Sequence, residues 1–253
     1  MSGDKRVEAH TPPQFFVEPS MVLGNQIALT GDLFRHARAQ RLSPGETFRA
    51  VLGDTQYLAQ VDQVTSDRVL ATITGRTRAF PPAARVHLYS ALLKGQNFDL
   101  VVEKATELGV SSVVPVITRR TVPQLDTAKA AERRSRWQKI AKAASEQSGR
   151  GSVPHIGEVA SFNELMCNPG GIPGARLLAY EHEGLTVDLA KALLGASEAS
   201  IIIGPEGGLD ASEVEQALEQ GFIPVSLGPY ILKAETASMA AVSLLIHYLS
   251  KQA

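Results

Sequence analysis

The chain of 253 residues is 44% hydrophobic and 20% charged, enough apolar material for a sizeable core and unlike a low-complexity or collagen-like chain. Its single cysteine, Cys167, excludes an internal disulfide framework and a multi-cysteine zinc site. The net charge of −1 conceals an asymmetry: residues 81–150 carry 12 Lys/Arg against 6 Asp/Glu, whereas residues 151–253 carry 4 against 12. No apolar run approaches the roughly 20 residues that span a bilayer. Met1-Ser2-Gly3-Asp4-Lys5-Arg6 leads into no apolar stretch. A cytoplasmic protein with no signal peptide and no membrane partner is expected.

Short β-prone runs come first: Phe15-Phe16-Val17, Gln26–Leu29, Thr47–Val51, Gln56–Val61 and Val69–Thr74. Turn signals at Ser43-Pro44-Gly45, Gly53-Asp54 and Ser66-Asp67 separate them, and Asp32–Gln40 fits a short helix. So many short strands within so few residues suggest a small β-barrel. Arg78–Ala84, with two prolines, reads as a linker.

From Arg85 strands and helices alternate, which is α/β patterning. Val86–Leu92 is an apolar strand. Asn97 is placed to cap a helix whose Phe98, Val101, Ala105 and Leu108 recur at helical spacing, and Gly109 can end it. Val113–Ile117 is a strand whose Pro115 suggests an edge position. Lys129–Gln147 is a long basic helix containing Trp137, the only tryptophan. Arg176–Tyr180 and Ala199–Ile203 are strands. Asp210-Ala211-Ser212-Glu213 opens a helix with an acidic capping box, and that helix runs to Gly221. Ile223–Ser226 is a short strand. Ala234–Leu249 is a weakly charged helix, suited to burial or a subunit interface.

Four segments carry chemistry. Ile201–Asp210 runs from a β-branched strand through Gly204-Pro205-Glu206-Gly207-Gly208 into a capped helix. Glycines there let backbone amides approach a ligand, although the segment alone also reads as a tight strand–helix turn. It is neither a Walker loop nor Gly-x-Gly-x-x-Gly. Ser226–Ala237 repeats strand, glycine–proline loop and helix, and mixes apolar groups with Lys233, Glu235 and Thr236. Two such loops side by side can hold a flat heterocycle. Ala144–Arg150 ends a basic helix at Gly149, after which Arg150 either presents a planar donor fork or neutralises the helix end. Glu103, Lys104 and Glu107 lie within one helical turn, which fits surface pairing as well as catalysis. The basic excess at Arg119, Arg120, Arg133, Arg134, Arg136, Lys139 and Lys142 is either a phosphate-facing surface or a solvated helix face. His10, His36, His87, His155, His182 and His247 show no metal-ligand spacing, so no metal is expected. No Gly-x-Ser-x-Gly elbow supports a serine hydrolase.

Lys94-Gly95-Gln96, Glu103–Val110, Glu146-Gln147-Ser148-Gly149-Arg150, Ile203–Gly208 and Leu227–Ala237 occur in that order. So ordered, the chain resembles the bacterial 16S ribosomal RNA uridine-N3 methyltransferases of the SPOUT superfamily. The likeness is strong from Leu92 to Ala240 and weaker before Arg85. It implies a small all-β PUA-like RNA-binding barrel over residues 1–78. It also implies an α/β SPOUT domain over residues 85–253, with a trefoil knot, an S-adenosyl-L-methionine site and a homodimer interface. General topology rules argue against a knot, so that element comes from the resemblance alone.

Carried over by position, the resemblance assigns cofactor binding to Ile203, Gly204, Gly207 and Gly208 in the first loop. In the second it assigns Leu227, Gly228, Ile231, Leu232 and Ala237. Leu178 and Glu181, at the end of an earlier strand, join the same expected pocket. His36 and Arg41 match the family's histidine-then-arginine pattern in the barrel, with Ala37-Arg38-Ala39-Gln40 replacing a hydrophobic run. Tyr230 and Lys233 stand where the family usually has arginine. Tyr230 loses the charge but can stack on a base, and Lys233 keeps the charge without the fork.

The expected reaction moves a methyl group from a sulfonium donor to N3 of an unpaired or flipped uridine. Arg150 is the first candidate for orienting or stabilising the uracil, with Lys233 second; replacing Arg150 by alanine is expected to reduce methylation sharply and spare folding. Glu206 and Glu235 are candidate proton acceptors. RNA is expected across His36, Arg41, Arg119, Arg120, Arg133, Arg136 and Tyr230, with 16S rRNA in the small ribosomal subunit as partner. Two rival readings remain: another SPOUT RNA methyltransferase acting on a ribose or on transfer RNA, and a non-catalytic RNA-binding module for ribosome assembly.

Overall fold

A computed structural model describes residues 12–80, 82–123, 125–181 and 186–251; His10, Pro81 and His182 lie outside them. The chain divides into two compact units, Met1–Phe80 and Pro81–Ala253.

The first unit contains β1 (Gln14–Phe16), β2 (Val22–Leu23), β3 (Gln26–Thr30), α1 (Gly31–Ala39), β4 (Thr47–Leu52), β5 (Thr55–Val64) and β6 (Arg68–Arg78). The strands form one sheet in the order β1-β4-β5-β6-β3-β2. β1 joins β4 in parallel, and the other pairs are antiparallel. The sheet is therefore mixed, and among the described residues no pairing joins its end strands β1 and β2 into a closed barrel. Alternation along β6 buries Val69, Ala71 and Ile73, as a sheet with one covered face requires. Those side chains meet Leu33 and Ala37 of α1 in a core where the Phe15 and Phe48 rings pack edge to face at 5.6 Å.

The second unit runs β7 (Arg85–Ala91), α2 (Asn97–Leu108), β8 (Ser112–Ile117), α3 (Thr127–Ser148), β9 (His155–Ile156), β10 (Ala160–Ser161), α4 (Phe162–Cys167), β11 (Ala175–Ala179), α5 (Leu189–Ala192), β12 (Glu198–Ile203), α6 (Ala211–Glu219), β13 (Ile223–Val225) and α7 (Ala234–Ser250). All pairings are parallel, in the order β10-β8-β7-β12-β11-β13, with β9 also on β8. Parallel sheets need both faces covered. Accordingly β12 is buried from Ala199 to Ile203. Ile201 and Ile203 face Phe98, Trp137 and Leu245 from α2, α3 and α7, whereas Ile202 faces Phe162 and Val214 from α4 and α6.

Pro115 does not mark an edge, because β8 lies inside the sheet. One neighbour is split: β9 pairs with Ser112 and Val113, and β10 pairs with Val116 and Ile117. Pro115 falls in the gap, where no ladder bond needs its missing N–H. Trp137 is 1% exposed, packs against Phe98 with ring centroids 4.6 Å apart and planes tilted by 52°, and donates Nε1–H to Asp99 Oδ1 at 2.9 Å. At the amino-terminal ends of the central strands, His87 Nδ1 lies 2.7 Å from Ser112 Oγ and Nε2 lies 2.9 Å from Glu198 Oε1. Among the described residues no helix is long and apolar enough to cross a membrane.

Candidate active site at the carboxyl ends of three strands

A cavity of about 620 Å³ opens where β11, β12 and β13 end, the edge at which parallel α/β sheets present ligand-binding loops. Its first wall follows β12. A Cβ on Gly204 would lie 3.1 Å from Leu209 Cγ and 3.2 Å from Leu209 N, so any larger residue there would have to push Leu209 aside. Gly208 N–H donates to Pro205 O at 2.8 Å and completes a turn, with Gly208 at φ +70°. Asp210 then caps α6 in a reciprocal box with Glu213.

Distant segments hold this loop in place. Glu206 Oε1 accepts the Lys94 N–H at 3.1 Å. Arg120 Nη1 donates to Gly207 O at 3.0 Å and Nη2 to Asp210 Oδ2 at 3.2 Å. Glu213 accepts the amides of Arg119 and Asp210, at 2.8 and 2.9 Å. The Ser212 hydroxyl and amide, and then the Arg120 guanidinium, hold the Asp210 carboxyl below the usual carboxylate range.

The second wall follows β13. Gly228 N–H donates to Ser226 Oγ, which donates back to Gly228 O at 2.9 Å. Tyr230 and Ile231 project, 77% and 91% exposed. Lys233 occupies the N-cap position of α7, and Glu235 stands in that helix's first turn. The lining thus carries the carboxylates of Glu181, Glu206 and Glu235 with the ammonium of Lys233 among apolar walls.

Of the residues expected at a cofactor pocket, Ile203, Gly204 and Gly208 line the cavity from the first loop. Leu227, Ile231, Leu232 and Ala237 line it from the second, and Glu181 from the end of β11. Leu178, Gly207 and Gly228 are not among the lining residues. Leu178 is fully buried on the opposite, α4/α6 face of the sheet, because successive strand side chains alternate. Gly207 turns its carbonyl to Arg120, and Gly228 shapes its loop through Ser226. Asn97 lines the cavity although its sequence suggested a cap. Gln96 is the cap residue, without a side-chain cap bond, and Asn97 is the first helical residue.

Arg150 is not a lining residue. Its Nη1 donates to Thr106 O at 2.6 Å and its Nη2 to Val110 O at 2.8 Å, tying the end of α3 to the end of α2. Burial pushes its guanidinium down to about 10. Lys104 bridges Glu103 and Glu107 at 2.7 and 2.8 Å, and those partners hold its ammonium up at about 12, as surface pairing predicts.

The residues expected to meet RNA divide by their existing partners. Arg119 and Arg120 bond to α6 and the first glycine loop. Arg136 donates to Asp99 Oδ2 at 2.7 Å. His36 stands edge-on to Phe15 at 5.3 Å, and Arg41 follows α1 with φ +59°, the only non-glycine positive φ among the described residues. Among the described residues no group of three or more His, Cys, Asp or Glu is placed to hold a metal ion.

An RNA methyltransferase domain family matches residues 81–246. The Ribosomal RNA small subunit methyltransferase E of Bacillus subtilis (strain 168) is 33% identical over 227 residues, covering 85% of this chain and 88% of that protein. The protein of the same name from Mycobacterium tuberculosis (strain CDC 1551 / Oshkosh) is 30% identical over 236 residues, covering 90% and 88%. The crystal structure of a Ribosomal RNA small subunit methyltransferase E from Neisseria gonorrhoeae bound to S-adenosyl methionine superimposes with a TM-score of 0.82 at 28% identity, covering 93% and 97%. With two thirds of its length inside the family's domain and most of it aligned to these relatives, the chain belongs to the RNA methyltransferase domain family, among the ribosomal RNA small subunit methyltransferases E.

Proposed function

We propose that this protein methylates N3 of a uridine in 16S rRNA of the small ribosomal subunit, using S-adenosyl-L-methionine, in the cytoplasm and as a homodimer. The observation that carries the reading is the cavity between two glycine loops at the carboxyl ends of β11, β12 and β13, in a chain that aligns almost end to end with a relative bound to that cofactor. The lining suits the ligand. Apolar side chains such as Leu209, Leu227 and Leu232 fit an adenine, and the carboxylates of Glu181, Glu206 and Glu235 offset sulfonium and ammonium charge. When bound, the cofactor supplies an electrophilic methyl group beside a neutral thioether leaving group.

The chain's own residues prepare the acceptor. Uracil N3 must pass its proton to water or to the Glu235 carboxylate on the cavity wall, and the negative charge left on the ring needs a cation nearby. Lys233 lines the cavity and serves that role. Glu206 already accepts the Lys94 amide through Oε1, which favours holding the loop over proton transfer. Arg150 is committed to two backbone carbonyls and assists from the helix ends rather than from the cavity wall.

Residues 1–78 act as an RNA-binding unit built on the mixed sheet, in the role of a PUA-like domain, with His36 in the last turn of α1 and Arg41 just after it. Residues 85–253 form a knotted SPOUT domain. In the second unit Arg133 and Arg136 of α3 and the exposed Tyr230 contact RNA. The test is mass spectrometry of 16S rRNA from a strain lacking this protein, repeated after complementation. Loss of one N3-methyluridine, restored by the wild-type gene, is expected. Unchanged 16S rRNA with a missing ribose or transfer-RNA methyl group overturns the assignment.

A further inference from the structure

We infer that Arg120 is a positioning residue for the methyl-donor loop and not a phosphate ligand, an inference that rests on reading the cavity as the S-adenosylmethionine site. The basic segment as a sequence assigned Arg120 to RNA, but its geometry points inward. The turn after β8 is closed by Thr121 N–H donating to Thr118 O at 3.1 Å and Thr118 N–H donating to Thr121 Oγ1 at 2.9 Å. The Arg119 N–H is fixed on Glu213 Oε1 at 2.8 Å. A turn anchored at both flanks aims the Arg120 side chain across to a loop 87 and 90 positions away, where its fork takes the Gly207 carbonyl and the Asp210 carboxylate together. The stem packs there as well, since a Cβ on Gly207 would lie 3.6 Å from Arg120 Cβ and 3.7 Å from its Cδ.

The consequence concerns one peptide plane. Holding the Gly207 carbonyl toward Arg120 fixes the orientation of the peptide that joins Gly207 to Gly208, and Gly208 lines the cavity. Glycine peptides rotate at little steric cost; the Gly208 N–H bond to Pro205 O holds one end of this plane and Arg120 the other, so without Arg120 the plane is held at one end only and the loop wall at Gly208 meets a ligand in its proper place only part of the time. A lysine at position 120 reaches one acceptor but cannot fork to both.

The experiment compares full-length wild type, Arg120→Ala and Arg120→Lys by calorimetric titration with S-adenosylmethionine, by steady-state kinetics and by binding of a 16S rRNA fragment across a salt series. Arg120→Ala is expected to weaken cofactor binding and raise its KM by about five- to tenfold, the range for losing one charge-assisted bond pair at a half-exposed site. At saturating cofactor, kcat stays within about twofold, and RNA affinity and its salt slope match wild type. Arg120→Lys recovers part of the lost cofactor affinity, and both variants stay folded, melting no more than a few degrees below wild type because the ion pair is half-exposed. Cofactor affinity within about twofold of wild type in Arg120→Ala overturns the inference; a salt slope reduced by about one in the same variant identifies a phosphate ligand instead. Failure of the wild type itself to bind the cofactor overturns the cavity reading and this inference together.

Discussion

Replacing Arg150 by alanine separates a structural tie from a substrate contact. In the folded chain its two Nη groups satisfy Thr106 O and Val110 O, at 2.6 and 2.8 Å. Thr106 O keeps one other donor, the Gly109 N–H at 3.0 Å. Bonds from a charged donor contribute about 1.5–3 kcal/mol each, and partial exposure brings the pair to roughly 2–4 kcal/mol. At about 2–4 °C per kcal/mol for a chain of this size, Arg150→Ala melts roughly 4–16 °C below wild type. Arg150→Lys recovers no more than half of that, because an ammonium lacks the fork.

The pH dependence has a definite sign. Burial holds the folded guanidinium at about 10 against an ordinary 12.5, so the unfolded chain binds more protons between those values. The group's contribution to stability therefore rises with pH in that interval and is flat below it. The melting gap between wild type and Arg150→Ala is accordingly constant from about pH 6 to about pH 9. Differential scanning calorimetry measures it, with methylation assayed in parallel. An Arg150→Ala protein that melts with wild type yet has lost methylation refutes this reasoning and restores the sequence expectation of a substrate-facing arginine.

Gly204→Ala places a methyl group 3.1 Å from Leu209 Cγ and 3.2 Å from Leu209 N, so the first loop shifts; S-adenosylmethionine binding is expected to fall about tenfold or more in calorimetric titration, with little loss of fold. Asp210→Ala removes the cap of α6 and one acceptor of Arg120. Because the Asp210 carboxyl titrates below its ordinary 3.8 in the folded chain, its stabilisation is complete above that value and is lost as pH falls through the lower one. The melting difference between Asp210→Ala and wild type should be steady from about pH 5 to pH 7 and shrink below about pH 4, and a gap independent of pH down to about 2 would count against the cap.

The α/β order, the acidic capping box at Asp210, the glycine stop at Gly109 and the apolar character of α7 were legible because each is written in adjacent or periodic residues. Partners far apart in sequence were not. Pro115 suggested an edge, since nothing local records that β9 and β10 divide one neighbouring strand between them. Arg120 counted as surface charge because Gly207 and Asp210 lie on a different loop. Leu178 followed its neighbours toward the pocket, but alternation sent its side chain to the other face. Asn97 was read as a cap from its residue type, and its place on the cavity wall depends on a turn held by Glu206 from 112 positions away.

His87, gripped between Ser112 and Glu198, staples together the starting edges of β7, β8 and β12. The sheet consequently has a keel as well as a working rim. The loops at the rim are thus carried on three strands whose alignment is also secured from below, away from whatever the loops bind.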